Sequence, residues 1–407
     1  MLQGLLARSG QYLAYAVALP MLVFGEPALA TCTTTSTPTT PTCRSAPCGK
    51  SPPGVGAAVS CNLISAGSGT QPVIIYHAGS LSAALTAVED SFVCNNPGTQ
   101  VLDCSGGSVD LARQITAGGL AADIYAPADY LDIERLLKPT GYASYDILIA
   151  RGKMVLSYTT TSLGTTLDGV SIAGTGTFNP PSSGFVENST VPDAAANWYS
   201  FLTQPGVLLG GSYLYLDPSG YRAPMIFQLA QSFYQIPALY NDLLEHYLAT
   251  AETPAASGAT GRTHTLGTQY DYQITYEHSA EAAYQKSPST YRYVNLPDDI
   301  NLGNPDKNGF YQHSVIVEPG LGFPGLDSLV ALPASRVVWG ATILRDAPNR
   351  DNAIKFLQLL LGGTGQTAFE ASGPAPFIPA VVSRRDYKNL PLQLQTLVTQ
   401  GDVFEGE

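Results

Sequence analysis

The chain has 407 residues, 44% of them apolar and 13% charged, which is enough for a large core and two domains of ordinary size and excludes disorder throughout. A balance of 20 basic against 32 acidic residues leaves a formal charge of −12 and excludes a nucleic-acid binder, which needs basic side chains to displace counterions from phosphates. A small buried anion is not excluded, because hydroxyls and backbone N–H groups act locally while surface carboxylates are screened beyond about 10 Å.

In chain order, residues 1–30 read as a secretory signal. Arg8 is the sole early charge, "YLAYAVALPMLVFG" (12–25) is apolar, and "ALA" (28–30) offers small residues for cleavage after Ala30. The apolar run is shorter than the roughly 20 residues of a membrane-spanning helix. The expected location is therefore periplasmic or extracellular; a lipid anchor on Cys32 is the lesser alternative, because Thr31 fits poorly before that cysteine. Residues 31–70, with "TCTTTSTPTTPTCRSAPCGKSPPGVG", are rich in Thr, Pro, Ser and Gly and read as a tether.

All six cysteines lie at or before Cys104, and in an exported chain they are disulfide candidates. Cys43 with Cys48, or either with Cys32 or Cys61, would staple the N-terminal segment. Cys94 ends a helix and Cys104 the strand after it, roughly 15 Å away, too far for these two to pair.

From Pro72 the pattern changes. Strand 73–77 runs through Ala-Gly-Ser into helix 81–93, which stops at the turn "NNPG". Strand 99–104 leads through "SGGSV" into helix 109–117, and "ADIYAPADY" (122–130) holds a third strand and helix start. Strand 154–160 leaves this first lobe, and 161–212 is too rich in Gly, Ser, Pro and Asn to assign. A second lobe follows: strand 211–216, the junction "DPSGYRAPM", a helix to Tyr234, and a strand then helix in 271–285. Strand 335–344 precedes a helix in "NRDNAIKFLQLLLGG". The alternation predicts an α/β protein with mixed, mostly parallel sheets. The first lobe takes 71–150 and 345–400, the second 151–344, and crossing strands form a hinge. Strand-to-helix junctions of both lobes would then line one cleft.

Six stretches together resemble one family: "IIYHAGSLS" (74–82), "GGSVDLARQI" (106–115), "ADIYAPADY", "LDPSGYR" (216–222), "YVNLPDDINLG" (293–303) and "APNRDNAIKFLQLLLGGTGQ" (347–366). They follow the order seen in archaeal-type tungstate/molybdate-binding proteins of ABC transporters, over about residues 72–392. The resemblance implies a two-lobed type II periplasmic-binding-protein fold that closes on a molybdate or tungstate ion and delivers it to a membrane permease. It implies a monomeric carrier without enzymatic activity or cofactor. The ligand-binding positions carry over as Ser80, Ser108, Asp217 and Tyr276, with Gly79, Gly107 and Arg222 beside them. Asp217 matches one of two family carboxylates that add to the coordination of the Mo or W centre. The second, a glutamate, has no counterpart: "ASGATGRTHTLGTQ" (256–269) carries no acid, Glu252 lies upstream, and Glu277 faces away if Tyr276 faces the cleft.

Each position has a plainer reading. Ser80 and Ser108 suit helix N-caps, and Asp217 before Pro218 suits an N-cap followed by proline. Tyr276 is one of 23 tyrosines and suits packing. Arg222 is read as bridging the lobes, neutralising Asp217, or pairing away from the ligand. Pro224 is expected to delay or kink its helix. His77, three residues before Ser80, invites a nucleophile–base reading with Asp217 as a further acid, but no GxSxG elbow accompanies it. Sulfate is the alternative oxyanion.

Overall fold

Short β-branched runs alternating with helical stretches fold into two mixed sheets with helices packed against them. A computed structural model describes residues 32–39, 60–67, 69, 71–162, 166–167, 170–171, 198–212, 214, 216–248, 266–319 and 329–401. The signal segment 1–30, Glu252 and most of 256–269 lie outside the described residues.

The first part of the chain supplies strands Thr35–Thr39 (β1), Ser60–Ser65 (β2) and Val73–Ala78 (β3), and helix Ser82–Asn95 (α1). Then come Gln100–Gly106 (β4), Ser108–Thr116 (α2), Ile124–Ala126 (β5) and Ile147–Gly152 (β6). Met154–Thr159 (β7), Thr166–Leu167 (β8), Val170–Ser171 (β9), Trp198–Leu202 (α3), Leu209–Gly210 (β10), Pro218–Tyr234 (α4) and Leu239–Leu248 (α5) follow. Next are Tyr272–Tyr276 (β11), Glu277–Lys286 (α6), Tyr291–Asn295 (β12), Asn308–Tyr311 (α7), Val315–Pro319 (β13) and Leu329–Pro333 (β14). The chain closes with Val337–Ile343 (β15), Arg350–Leu361 (α8), Gly363–Ser372 (α9), Ala375–Val382 (β16) and Val398–Gln400 (β17).

The larger sheet has the order β1-β2-β4-β3-β5-β15-β6-β16-β17 and the smaller β10-β11-β7-β12. These are the two lobes. Strands β3, β7 and β15 are buried along their whole length, as expected of central strands covered on both faces. Phe92 of α1 meets Phe356 of α8 edge-on at 5.3 Å, tying the early and late helices of the larger lobe together.

Four expectations change. The sheets are mixed but not mostly parallel: in the larger one only β3–β4, β3–β5 and β16–β17 are parallel, because the N-terminal hairpin and the crossing strands run antiparallel. The supposed tether contributes β1 and β2 to the edge of this sheet. Threonine favours strands, and Pro38 is tolerated because β1 is an edge strand. Strand β15 pairs with β5 and β6, so 337–343 belongs to the larger lobe rather than the second. The strand expected at 211–216 shrinks to Leu209–Gly210, where a side chain on Gly210 would collide with the Tyr270 ring at 2.3 Å.

The cysteine reading is corrected in one part. Cys61 bonds Cys104 across the β2–β4 register with Cα atoms 4.1 Å apart, rather than stapling the N-terminal segment. Cys104 is thereby unavailable to Cys94, which is also disulfide-bonded.

The chain leaves the larger sheet after Gly152 and returns at 334–336. One turn holds both crossings: Met154 N donates to Asn301 O at 2.8 Å and Val337 N to Leu302 O at 2.8 Å. Leu302 adopts φ +59°, a left-handed conformation uncommon for leucine. Asn301, buried, fixes the turn by donating to Leu296 O and accepting from Gly303 N.

Candidate functional site

Helix starts from both lobes meet at the mouth of the sheets. Ser80 lies in the single 3-10 turn Gly79–Leu81 that joins β3 to α1. Ser108 opens α2, Asp217 precedes α4, and Tyr276 precedes α6. A helix start carries N–H groups without intrahelical partners and positive dipole charge, which favours an anion. Here Leu216 O takes two of those N–H groups on α2, Asp217 takes that of Ser219 on α4, and Lys153 O takes that of Glu277 on α6.

Neither serine caps its helix. The cap positions are Leu81 and Gly107, and neither makes a side-chain cap bond. The Ser80 hydroxyl oxygen instead accepts from Trp339 Nε1 at 3.0 Å, and that of Ser108 from the Ala128 N–H at 2.9 Å. Ser80 also accepts at its carbonyl from His278 Nε2 at 2.9 Å. Burial holds the His278 imidazole below its ordinary pKa, which suits a neutral ring donating one N–H.

Tyr276 packs and bonds at once. Its ring lies 4.9 Å from Trp339 and 5.9 Å from His278, while its hydroxyl oxygen accepts from Arg222 Nη1 at 2.9 Å. Burial keeps the phenol protonated by raising its pKa, against the pull of the guanidinium.

Arg222 bridges the lobes. From α4 it donates to Ala128 O at 3.0 Å and pairs with Asp129 at 3.4 Å, and neighbouring Tyr221 donates to the same carboxylate at 2.6 Å. The ion-pair partner of Arg222 is Asp129.

Asp217 is an N-cap: its Oδ1 accepts from the Ser219 N–H and hydroxyl, each at 2.9 Å. Burial raises its pKa, while the Ser219 and Ser212 hydroxyls and Arg222 favour the ionised form. Pro224 neither delays nor breaks the helix, which begins at Pro218. The carbonyl four residues before it, Gly220 O, lacks a helical donor and accepts from Tyr247 Oη at 3.1 Å instead.

The lobes touch directly at this point. Val109 and Asp110 donate their N–H groups to Leu216 O at 3.1 and 3.2 Å. A Cβ on Gly107 would sit 2.6 Å from that carbonyl oxygen, so close approach of the other lobe explains the glycine. Gly79 is exposed, with nothing within 4 Å of a Cβ there. All four predicted ligand positions thus join one network: Ser80 reaches Tyr276 through Trp339, Tyr276 reaches Ser108 through Arg222 and Ala128, and Asp217 lies against Gly107.

His77 does not serve Ser80. Its Nδ1 bonds Ala78 O at 2.8 Å and its Nε2 pairs with Asp103. Glu277 starts α6 and pairs with Lys153 at 2.9 Å, outside the network. Among the described residues no group of three or more His, Cys, Asp or Glu is placed to hold a metal ion, and no helix is long and apolar enough to cross a membrane.

The sequence profile of the bacterial extracellular solute-binding proteins matches residues 73–374. The chain belongs to that family. Among its relatives, a molybdate/tungstate-binding protein (WtpA) of Thermococcus kodakarensis is 29% identical over 360 residues, covering 82% of this chain and 89% of the relative. A solute-binding protein of Methanoculleus marisnigri is 29% identical over 339 residues, covering 80% and 86%. Among solved structures, the sulfate-binding protein SubI of Mycobacterium tuberculosis aligns at 13% identity with a TM-score of 0.49, covering 76% of this chain and 88% of its own.

Trp339, His278, Ala128 and Asp129 escape sequence reasoning. Only "ADIYAPADY", which contains two of them, gave a signal, and it pointed to a helix start rather than to these atoms.

Proposed function

We propose that this family member captures molybdate or tungstate between its lobes, outside the cytoplasm, and hands it intact to an ABC-transporter permease. The observation that carries this reading is the convergence of Ser80 and Ser108 from one lobe with Tyr276 from the other, at helix starts. Neutral donors suit a dianion already free of protons, and the 29% identity to molybdate/tungstate-binding relatives supports the same ligand class. Lobe closure is supported by the Arg222–Asp129 pair and the Leu216 carbonyl on α2, contacts that exist only when the two sheets approach.

Sulfate is the second reading. The family's second carboxylate is missing from the sequence, and Asp217 already spends Oδ1 on its cap, which favours simple tetrahedral hydrogen bonding.

Thermal stabilisation by molybdate, tungstate, sulfate, phosphate and citrate tests both readings, since a ligand at 100 times its Kd adds about 2.7 kcal/mol. Stabilisation by molybdate or tungstate is expected. A response to sulfate alone would replace the leading reading with the second, and no response to any oxyanion would remove both. Asp217→Ala should weaken molybdate and tungstate more than sulfate if the carboxylate reaches the metal centre; equal losses would leave it a cap.

A further inference from the structure

His77 is fully buried on β3, two residues before Gly79, and both of its ring nitrogens are engaged. Nδ1 meets Ala78 O at 2.8 Å; a carbonyl oxygen only accepts, so Nδ1 carries a hydrogen. Nε2 meets the Asp103 carboxylate on β4, which holds the ring in that orientation. His77 thus acts on the turn before Ser80 and not on the serine hydroxyl.

The Ala78 carbonyl belongs to the same peptide unit as the Gly79 N–H. That unit is planar and trans, so the two groups point in opposite directions. With the carbonyl held against the buried imidazole, the N–H is turned away from the core. It faces the open side, where Gly79 is exposed and nothing stands within 4 Å of a Cβ. Among the described residues the Gly79 N–H has no acceptor. Glycine would tolerate this peptide turned over, so its orientation needs a lock.

We infer that His77 is a positioning residue for the oxyanion site: it locks the Ala78–Gly79 peptide so that the Gly79 N–H faces the ligand beside Ser80, and Asp103 holds the imidazole in place. This rests on the oxyanion reading above.

The test is calorimetric titration of molybdate, tungstate and sulfate into wild type, His77→Gln, His77→Asn and Asp103→Asn, with urea midpoints of the same samples. An Asn amide stands where Nδ1 stands and donates to Ala78 O, whereas a Gln amide reaches Asp103 but not Ala78. His77→Gln should bind the preferred oxyanion about 3- to 10-fold more weakly, the scale of one lost hydrogen bond. His77→Asn should stay within about 2-fold of wild type, yet unfold at lower urea because it leaves Asp103 without its partner. A merely structural role makes affinity follow stability. Equal affinities in the two forms, or weaker binding by the Asn form, therefore overturn the inference. Asp103→Asn lets Nε2 accept from the new amide while Nδ1 still donates, so affinity should be kept. A loss there matching that expected of His77→Gln overturns the inference even where neither form altered at position 77 folds. Failure of wild type to bind any of the three oxyanions would instead remove the functional reading beneath it.

Discussion

Glu89 lies on α1, fully buried, with neither carboxyl oxygen hydrogen-bonded. Burial, and then Asp103 and Asp90 nearby, push its pKa well above the ordinary carboxylate value, so the native state holds its proton at pH values where the unfolded chain has lost it. With one proton more bound in the native state, stability falls by about 1.4 kcal/mol for each pH unit above the unfolded pKa of roughly 4.3. The contribution is complete below that pKa and is lost as pH rises toward the native one. Glu89→Gln keeps the shape, removes the titration, and should add up to about 3 kcal/mol at pH 7 relative to pH 4.5. Urea unfolding of both proteins at pH 5, 6, 7 and 8 measures this, and the difference between them should widen with pH. Parallel profiles would refute the reasoning and mean that Glu89 is ionised in the fold.

Other outcomes follow from the same contacts. Replacing Cys61 and Cys104 by serine opens a loop of 43 residues and should cost about 4 kcal/mol, read from the urea midpoint of non-reduced samples. Arg222→Met leaves the Asp129 carboxylate, 4% exposed, without its charged partner though still hydrogen-bonded by Tyr221 and the Leu131 N–H, and should cost about 3 kcal/mol, with Asp129→Leu in the same chain recovering part of it. Gly107→Ala puts a Cβ 2.6 Å from Leu216 O across the lobe contact, so under the closure proposed above oxyanion affinity should fall about 5- to 100-fold while the unliganded melting temperature changes little.

The elements that carry local signals were legible. Ser80, Ser108 and Tyr276 each stand where a β-branched strand gives way to a helix, a pattern written within ten residues. Trp339 was not legible, because its role depends on a bulge with β6, on the absence of a side chain at Gly152, and on a serine 259 positions earlier. Asp129 escaped for the same reason, since the arginine it meets lies on another lobe. Composition gave no sign of the strands at 35–39 and 60–65: such stretches lack apolar residues to form a core, yet they can pair with an existing sheet edge. Cys104 found its partner on such a pairing, which no spacing rule could anticipate.

The turn at Asn301 and Leu302 has a mechanical consequence. Consecutive carbonyls grip the outgoing strand at Met154 and the returning one at Val337. Two strands clasped by adjacent peptide units cannot bend independently, so under the lobe closure proposed above both crossings would move together. On the carrier reading proposed above, a partner that touches one lobe's outer surface would thereby sense both.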